Sequence, residues 1–181
     1  MPFRKHGGIS LPPVFTYEYT PFPCRVAGRR SPKGGPMYGL KTEASFDSAH
    51  FLTSYYGKCE NLHGHRWRVV AYLRTHELGA IGDATTNRDM VVDFGVFKRT
   101  LRALAEELDH TFLVEEGSLK PATLACLAEE GFSLTVLPFR TTAENLARYF
   151  CERMVDAGLP CAQVDVYETP LNCATYVRED G

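Results

Sequence analysis

The chain has 181 residues, 44% of them hydrophobic and 23% charged, enough for one globular core with a modest extension. A formal charge of −2 gives no electrostatic reason to expect nucleic acid or an anionic membrane surface as a partner. The N-terminus lacks the apolar core of a signal peptide and no segment is long and apolar enough to cross a bilayer, so the expectation is a cytoplasmic protein whose six scattered cysteines are reduced thiols.

Residues 1–38 hold most of the prolines and a basic, glycine-rich piece, Gly28-Arg-Arg-Ser-Pro-Lys-Gly-Gly-Pro36, and read as a partly flexible extension, with an edge strand near Val14 to Tyr19. The core domain is expected over 39–181. Leu40 to Phe46 reads as a strand, and counting on by twos brings His50 onto the face of Ala44 and Phe46. A second strand from His63 to Arg74 places His63, His65, Trp67, Val69, Ala71 and Leu73 on one face. Asp93 then caps a helix carrying Phe97, Leu101, Leu104 and Leu108 at helical spacing, ending at Asp109-His110.

Residues 114–140 read as an insert, with a short helix over Pro121 to Glu130 and an extended piece from Phe132 to Phe139. A second main helix opens at Thr141-Thr142, with Thr141 and Glu144 at capping-box spacing and Leu146, Phe150 and Met154 on its buried side. Val164 to Glu168 and Ala174 to Val177 complete the chain as strands around the turn Thr169-Pro-Leu-Asn. The order β-β-α-(insert)-α-β-β predicts an α+β architecture, an antiparallel sheet with two main helices on one face.

The chemistry concentrates in His50, Cys59, His63 and His65. Three imidazoles with an open fourth position describe a catalytic zinc site; Cys59 as a fourth ligand would instead describe a closed structural one, and spacing alone admits both. Asp109-His110 sits where a helix dipole favours protonated histidine, although such a pair is also an ordinary helix ending. Glu168 shares a face with Val164 and Val166, so its carboxylate needs a hydrogen-bonding partner, either a cationic side chain or a ligand edge rich in N–H donors.

The elements Phe46-Asp-Ser-Ala-His50, Cys59-Glu-Asn-Leu-His63-Gly-His65, Asp109-His110, Thr141-Thr142-Ala-Glu-Asn145 and Val166-Tyr-Glu168-Thr together resemble the 6-pyruvoyl-tetrahydropterin synthase family over about residues 38 to 178. Cys59 four positions before His63 is similar to the bacterial branch that makes 6-carboxy-5,6,7,8-tetrahydropterin for queuosine and other 7-deazapurines, more than to the 6-pyruvoyl branch. The resemblance implies a tunnelling fold, a homohexamer with sites at subunit boundaries, and Zn2+ held by His50, His63 and His65. It implies a lyase that converts 7,8-dihydroneopterin triphosphate with loss of acetaldehyde and triphosphate. Cys59 would be the general base, His110 with Asp109 a proton carrier, and Glu168 with Thr141 and Thr142 the pterin-binding groups. The rival from another class is a non-catalytic zinc protein serving assembly.

Overall fold

The computed structural model describes residues 37–82 and 86–179, together with the backbone of Phe15–Thr16. The rest of the N-terminal extension, including its basic glycine-rich piece and most of the expected edge strand, lies outside the described residues. In chain order the elements are β1 (Phe15–Thr16), β2 (Tyr38–His50), β3 (His63–Thr75), α1 (Phe94–Glu106), β4 (Thr111–Glu115), α2 (Pro121–Glu129), β5 (Leu134–Leu137), α3 (Ala143–Asp156), β6 (Cys161–Thr169) and β7 (Asn172–Val177). One sheet carries all the strands in the order β1-β5-β4-β2-β3-β6-β7.

The four strands expected from the sequence, β2, β3, β6 and β7, are antiparallel neighbours with two long helices against them. Alternation decides which side is covered. Phe46 from β2, Trp67, Val69, Ala71 and Leu73 from β3, and Val164 and Val166 from β6 are all buried on the helix-facing side. Phe97, Leu101, Leu104 and Leu108 meet them from the α1 segment, and Leu146, Phe150 and Met154 from α3. Burying each such Leu or Phe stabilises the fold by about 1.5–3 kcal/mol, so this single layer carries most of the driving force.

Residues 114–140 are not a separate excursion. The segment begins earlier, at Thr111, and builds β4 and β5, which extend the sheet with parallel pairing: β4 against β2 at Ser48↔Thr111 and Ala49↔Phe112, β5 against β4 from Phe112↔Leu134 to Glu115↔Leu137. The complete sheet is therefore mixed, with an antiparallel half as expected and a parallel half added beside it. Phe15–Thr16 then pairs parallel with Thr135–Val136 of β5.

Two junctions differ from the local sequence pattern. α1 stops at Glu106, and the chain turns through Leu108 to His110 before β4. Asp47 pins that turn: its N–H donates to Asp109 Oδ1 at 2.7 Å, and its carbonyl accepts the His110 N–H at 2.6 Å. At α3 the cap is Thr142, whose hydroxyl accepts from the Asn145 N–H, one position later than the Thr141–Glu144 spacing suggests. Thr141 is fully buried and does something else.

Candidate functional site

His50 ends β2 and His63 begins β3, and the two are directly paired; His65 stands opposite Ser48. All three rings lie on the helix-facing side as one more layer beyond the hydrophobic core. Trp67 forms the floor, stacked on Phe46 with centroids 6.0 Å apart and edge-on to His50 at 5.0 Å and His65 at 5.3 Å.

Each imidazole presents Nε2 inward. The Nδ1 of His50 lies 2.9 Å from the main-chain carbonyl of Thr141, and that of His63 lies 2.7 Å from the carbonyl of Asn61. A carbonyl only accepts, so both Nδ1 atoms carry the proton and both Nε2 atoms carry the lone pair. Thr141 reinforces this with its hydroxyl, 3.2 Å from the same Nδ1, while that hydroxyl donates to the Phe51 carbonyl. Burial lowers the His50 pKa to about 4, the neighbouring histidines adding to the effect and the Thr141 bond opposing it. Burial also lowers His65, against the raising effect of Glu168. Neutral imidazole is the form that ligates metals.

The Nε2 atoms of His50, His63 and His65 are all buried without a hydrogen-bond partner. With one carboxylate oxygen of Glu168 they form a group whose ligand atoms lie within 4.8 Å of one another. Glu168 Oε1 is 3.6 Å from His50 Nε2 and 3.4 Å from His65 Nε2. Three lone pairs and a carboxylate converging on one point repel each other unless a cation balances them. Three imidazole nitrogens with an oxygen suit a borderline divalent ion of the zinc type, so the residues present fit the metal read from the sequence.

The other groups read from the sequence stand apart from this cluster. Cys59 lies half-buried in a short turn, Lys58–Glu60, and its thiol is not among the converging ligand atoms. The group that joins the three imidazoles is the Glu168 carboxylate, and the Cys59 thiol of a closed Cys-His-His-His site lies outside this set. His110 adopts a positive φ of 53° and bonds Asp109 Oδ2 through Nδ1 at 2.6 Å. The Asp47 N–H and then His110 hold the Asp109 carboxyl below its usual value, and Asp109 in turn raises His110. The His110 ring is 79% exposed. It opens on a groove of about 580 Å³ lined by Ala49, Gly64, Arg66, Phe112 and Phe132, together with the buried Ser48 and the half-buried His65. Glu168 is 26% exposed, at a pairing irregularity between Tyr167 and Thr169. Thr142 is occupied with its helix cap.

Residues 39–179 match the family model described as 6-pyruvoyl tetrahydropterin synthase. The chain belongs to that family. Its curated relatives include the 6-carboxy-5,6,7,8-tetrahydropterin synthase of Haemophilus influenzae, 32% identical over 143 residues that span 77% of this chain and 99% of the relative. The protein of the same name from Aquifex aeolicus is 33% identical over 132 residues, 67% of this chain and 77% of the relative. Among solved structures, an uncharacterized protein from Wolinella succinogenes superposes with a TM-score of 0.64 at 23% identity, covering 80% of this chain and all of that one. A Plasmodium vivax 6-pyruvoyltetrahydropterin synthase superposes at 0.57 and 22% identity, covering 79% and 98%. The α+β sheet-and-helix arrangement is thus the family's tunnelling fold, and a His/Glu group that could hold a metal ion lies at one end of its sheet.

One contribution escaped the sequence reading. Thr141 orients His50 through a main-chain carbonyl, which no side-chain pattern reveals. Trp67 stands where alternation put it, two residues after His65 on the same face, and there it forms the floor.

Proposed function

We propose that the protein is a zinc-dependent 6-carboxy-5,6,7,8-tetrahydropterin synthase, a lyase that takes 7,8-dihydroneopterin triphosphate to 6-carboxytetrahydropterin with release of acetaldehyde and triphosphate, in the cytoplasmic route to queuosine and related 7-deazapurines. The observation that carries the metal half of this reading is the convergence of three partnerless Nε2 atoms on one point beside a carboxylate. The names of the curated relatives support the carboxy product.

His50, His63 and His65 would hold the ion, and bound there it would polarise side-chain oxygens of the substrate and stabilise negative charge as protons move. The Thr141 and Asn61 carbonyls keep two of the rings in the ligating tautomer. Cys59, on the loop between His50 and His63, is the proposed general base. His110 is the proposed proton carrier, kept protonated by Asp109. Glu168 is proposed to receive the pterin's amino and ring N–H edge, with Thr141 and Thr142 near it; one of its oxygens faces the histidines and the other remains for such donors.

His110 lines an exposed groove and is not among the converging ligand atoms, so the proposed site calls for a second copy to bring a proton carrier to the ion. Two open sheet edges support joining. β7 is bonded only to β6, and β2 meets β4 only at Ser48 and Ala49, leaving the rest of that edge unpaired among the described residues. We propose a homo-oligomer, a hexamer as the resemblance implies, with 39–181 as the catalytic domain.

The test is product analysis of the zinc-loaded protein with 7,8-dihydroneopterin triphosphate. Acetaldehyde and 6-carboxytetrahydropterin in equal amounts support the proposal. A 6-pyruvoyl product without acetaldehyde moves the protein to the other branch, and zinc binding without turnover favours an assembly role.

A further inference from the structure

Two of the three imidazoles have their outer nitrogen fixed by a main-chain carbonyl; the third has no such partner. His65 Nδ1 makes no hydrogen bond among the described residues, whereas His50 and His63 are held at 2.9 and 2.7 Å. An imidazole that is free to turn, or to carry its proton on either nitrogen, is a poorer ligand than a fixed one.

The residue facing His65 across the β2–β3 ladder is Ser48. Directly opposed side chains on one face have Cβ atoms about 4.5–5.5 Å apart, within reach of a rotating hydroxyl and a ring nitrogen. Ser48 is only 6% exposed, and its Oγ is buried without a partner. Its neighbours along the same face are Phe46 and His50, so an alanine would suit the packing better than an unpaired hydroxyl. The Trp67 indole N–H, against the same His65 ring, is also buried and unpartnered. A serine oxygen has two lone pairs and can accept from both.

We propose that Ser48 is the positioning residue for His65: with the ion bound, a turn about the Ser48 Cα–Cβ bond lets its hydroxyl, unbonded in this structure, accept the His65 Nδ1–H, fix the ligating tautomer and hold Nε2 toward the ion, as the carbonyls of Thr141 and Asn61 do for the other two rings. This assignment rests on the metal half of the proposed function and is independent of which pterin product forms.

The experiment compares wild type with Ser48→Ala, using Zn2+ alone as the probe, chelator competition for affinity, Trp67 fluorescence as a second signal, and thermal melting of both metal-free proteins. The expected result has two opposite signs. Zinc binding weakens by about tenfold, as for removal of other groups that orient a ligating histidine. The metal-free variant melts at the same temperature or higher, because an unpaired buried hydroxyl has gone. In zinc-loaded wild type the His65 Nδ1–H should be visible by nitrogen-edited NMR and slow to exchange; in Ser48→Ala it should exchange fast. Unchanged zinc affinity in Ser48→Ala overturns the assignment alone, as does a loss matched by an equal fall in metal-free stability. A wild type that binds no zinc overturns this assignment and the metal centre together.

Discussion

The carbonyl of Thr141 accepts the Nδ1–H of His50 at 2.9 Å, tying the entry of α3 to the last residue of β2 across 91 positions of sequence. Because the bond is to the main chain, Thr141→Val keeps it. That variant should hold zinc within about threefold of wild type. It should lose roughly 0.5–1.5 kcal/mol of stability with the hydroxyl's bond to Phe51. Metal analysis with thermal melting checks both, and a large loss of zinc would transfer the orienting role to the hydroxyl.

Glu168 is within reach of two imidazoles, so its proposed role as pterin anchor must be separated from that of permanent ligand. Glu168→Gln should retain zinc and fold while losing about 2–4 kcal/mol of transition-state stabilisation, the scale for breaking a buried charged hydrogen bond. Steady-state kinetics normalised to bound metal measures this. Loss of zinc at unchanged efficiency per metal would make Glu168 a ligand.

The Asp109–His110 pair predicts a pH signature. Asp109 raises the folded-state pKa of His110 above its ordinary 6.5. The imidazolium, and the stability its pairing contributes, is therefore fully present below that value and lost as pH rises through the raised one. Asp109→Asn should move the His110 titration, followed by NMR, to lower pH and shift the alkaline limb of kcat/KM the same way. For Asp109 the sign is opposite: its carboxyl is lowered from 3.8, so its contribution is present above that value and lost as pH falls further. An unmoved His110 titration in the variant would show that the pair is not electrostatically linked.

Trp67 is the chain's only tryptophan and carries two of the imidazoles on its edges. Zinc added to the metal-free protein should change its fluorescence saturably, and His65→Ala should weaken that response strongly. Trp67→Ala should cost about 3–5 kcal/mol, and Trp67→Phe markedly less. A tryptophan signal indifferent to zinc would mean the ion binds elsewhere.

Much of this was legible in the sequence because strand periodicity is rigid. Once His63, His65 and Trp67 alternate, their shared face follows, and the same counting placed His50 and Glu168 correctly. Asp93 as a cap was equally local, and its side chain accepts from Val96. What stayed hidden was decided by distant partners. Two adjacent threonines offer two cap spacings, and the bond of Thr141 to His50 selects the second. β4 and β5 are only five and four residues long, and their parallel pairing has no nearby turn to announce it. The positive φ of His110 is imposed by Asp47 from another strand.

His50 and His63 bracket residues 51–62, the loop that contains Cys59. The pairing of His50 with His63 already closes that loop, and an ion shared by the two would lock the closure at the end of the ladder most prone to fray, as a cross-link would. Stripping the metal should free the loop before it frees the sheet, so proteolysis between Phe51 and Leu62 would register loss of the ion while the hydrophobic layer beneath Trp67 stays intact.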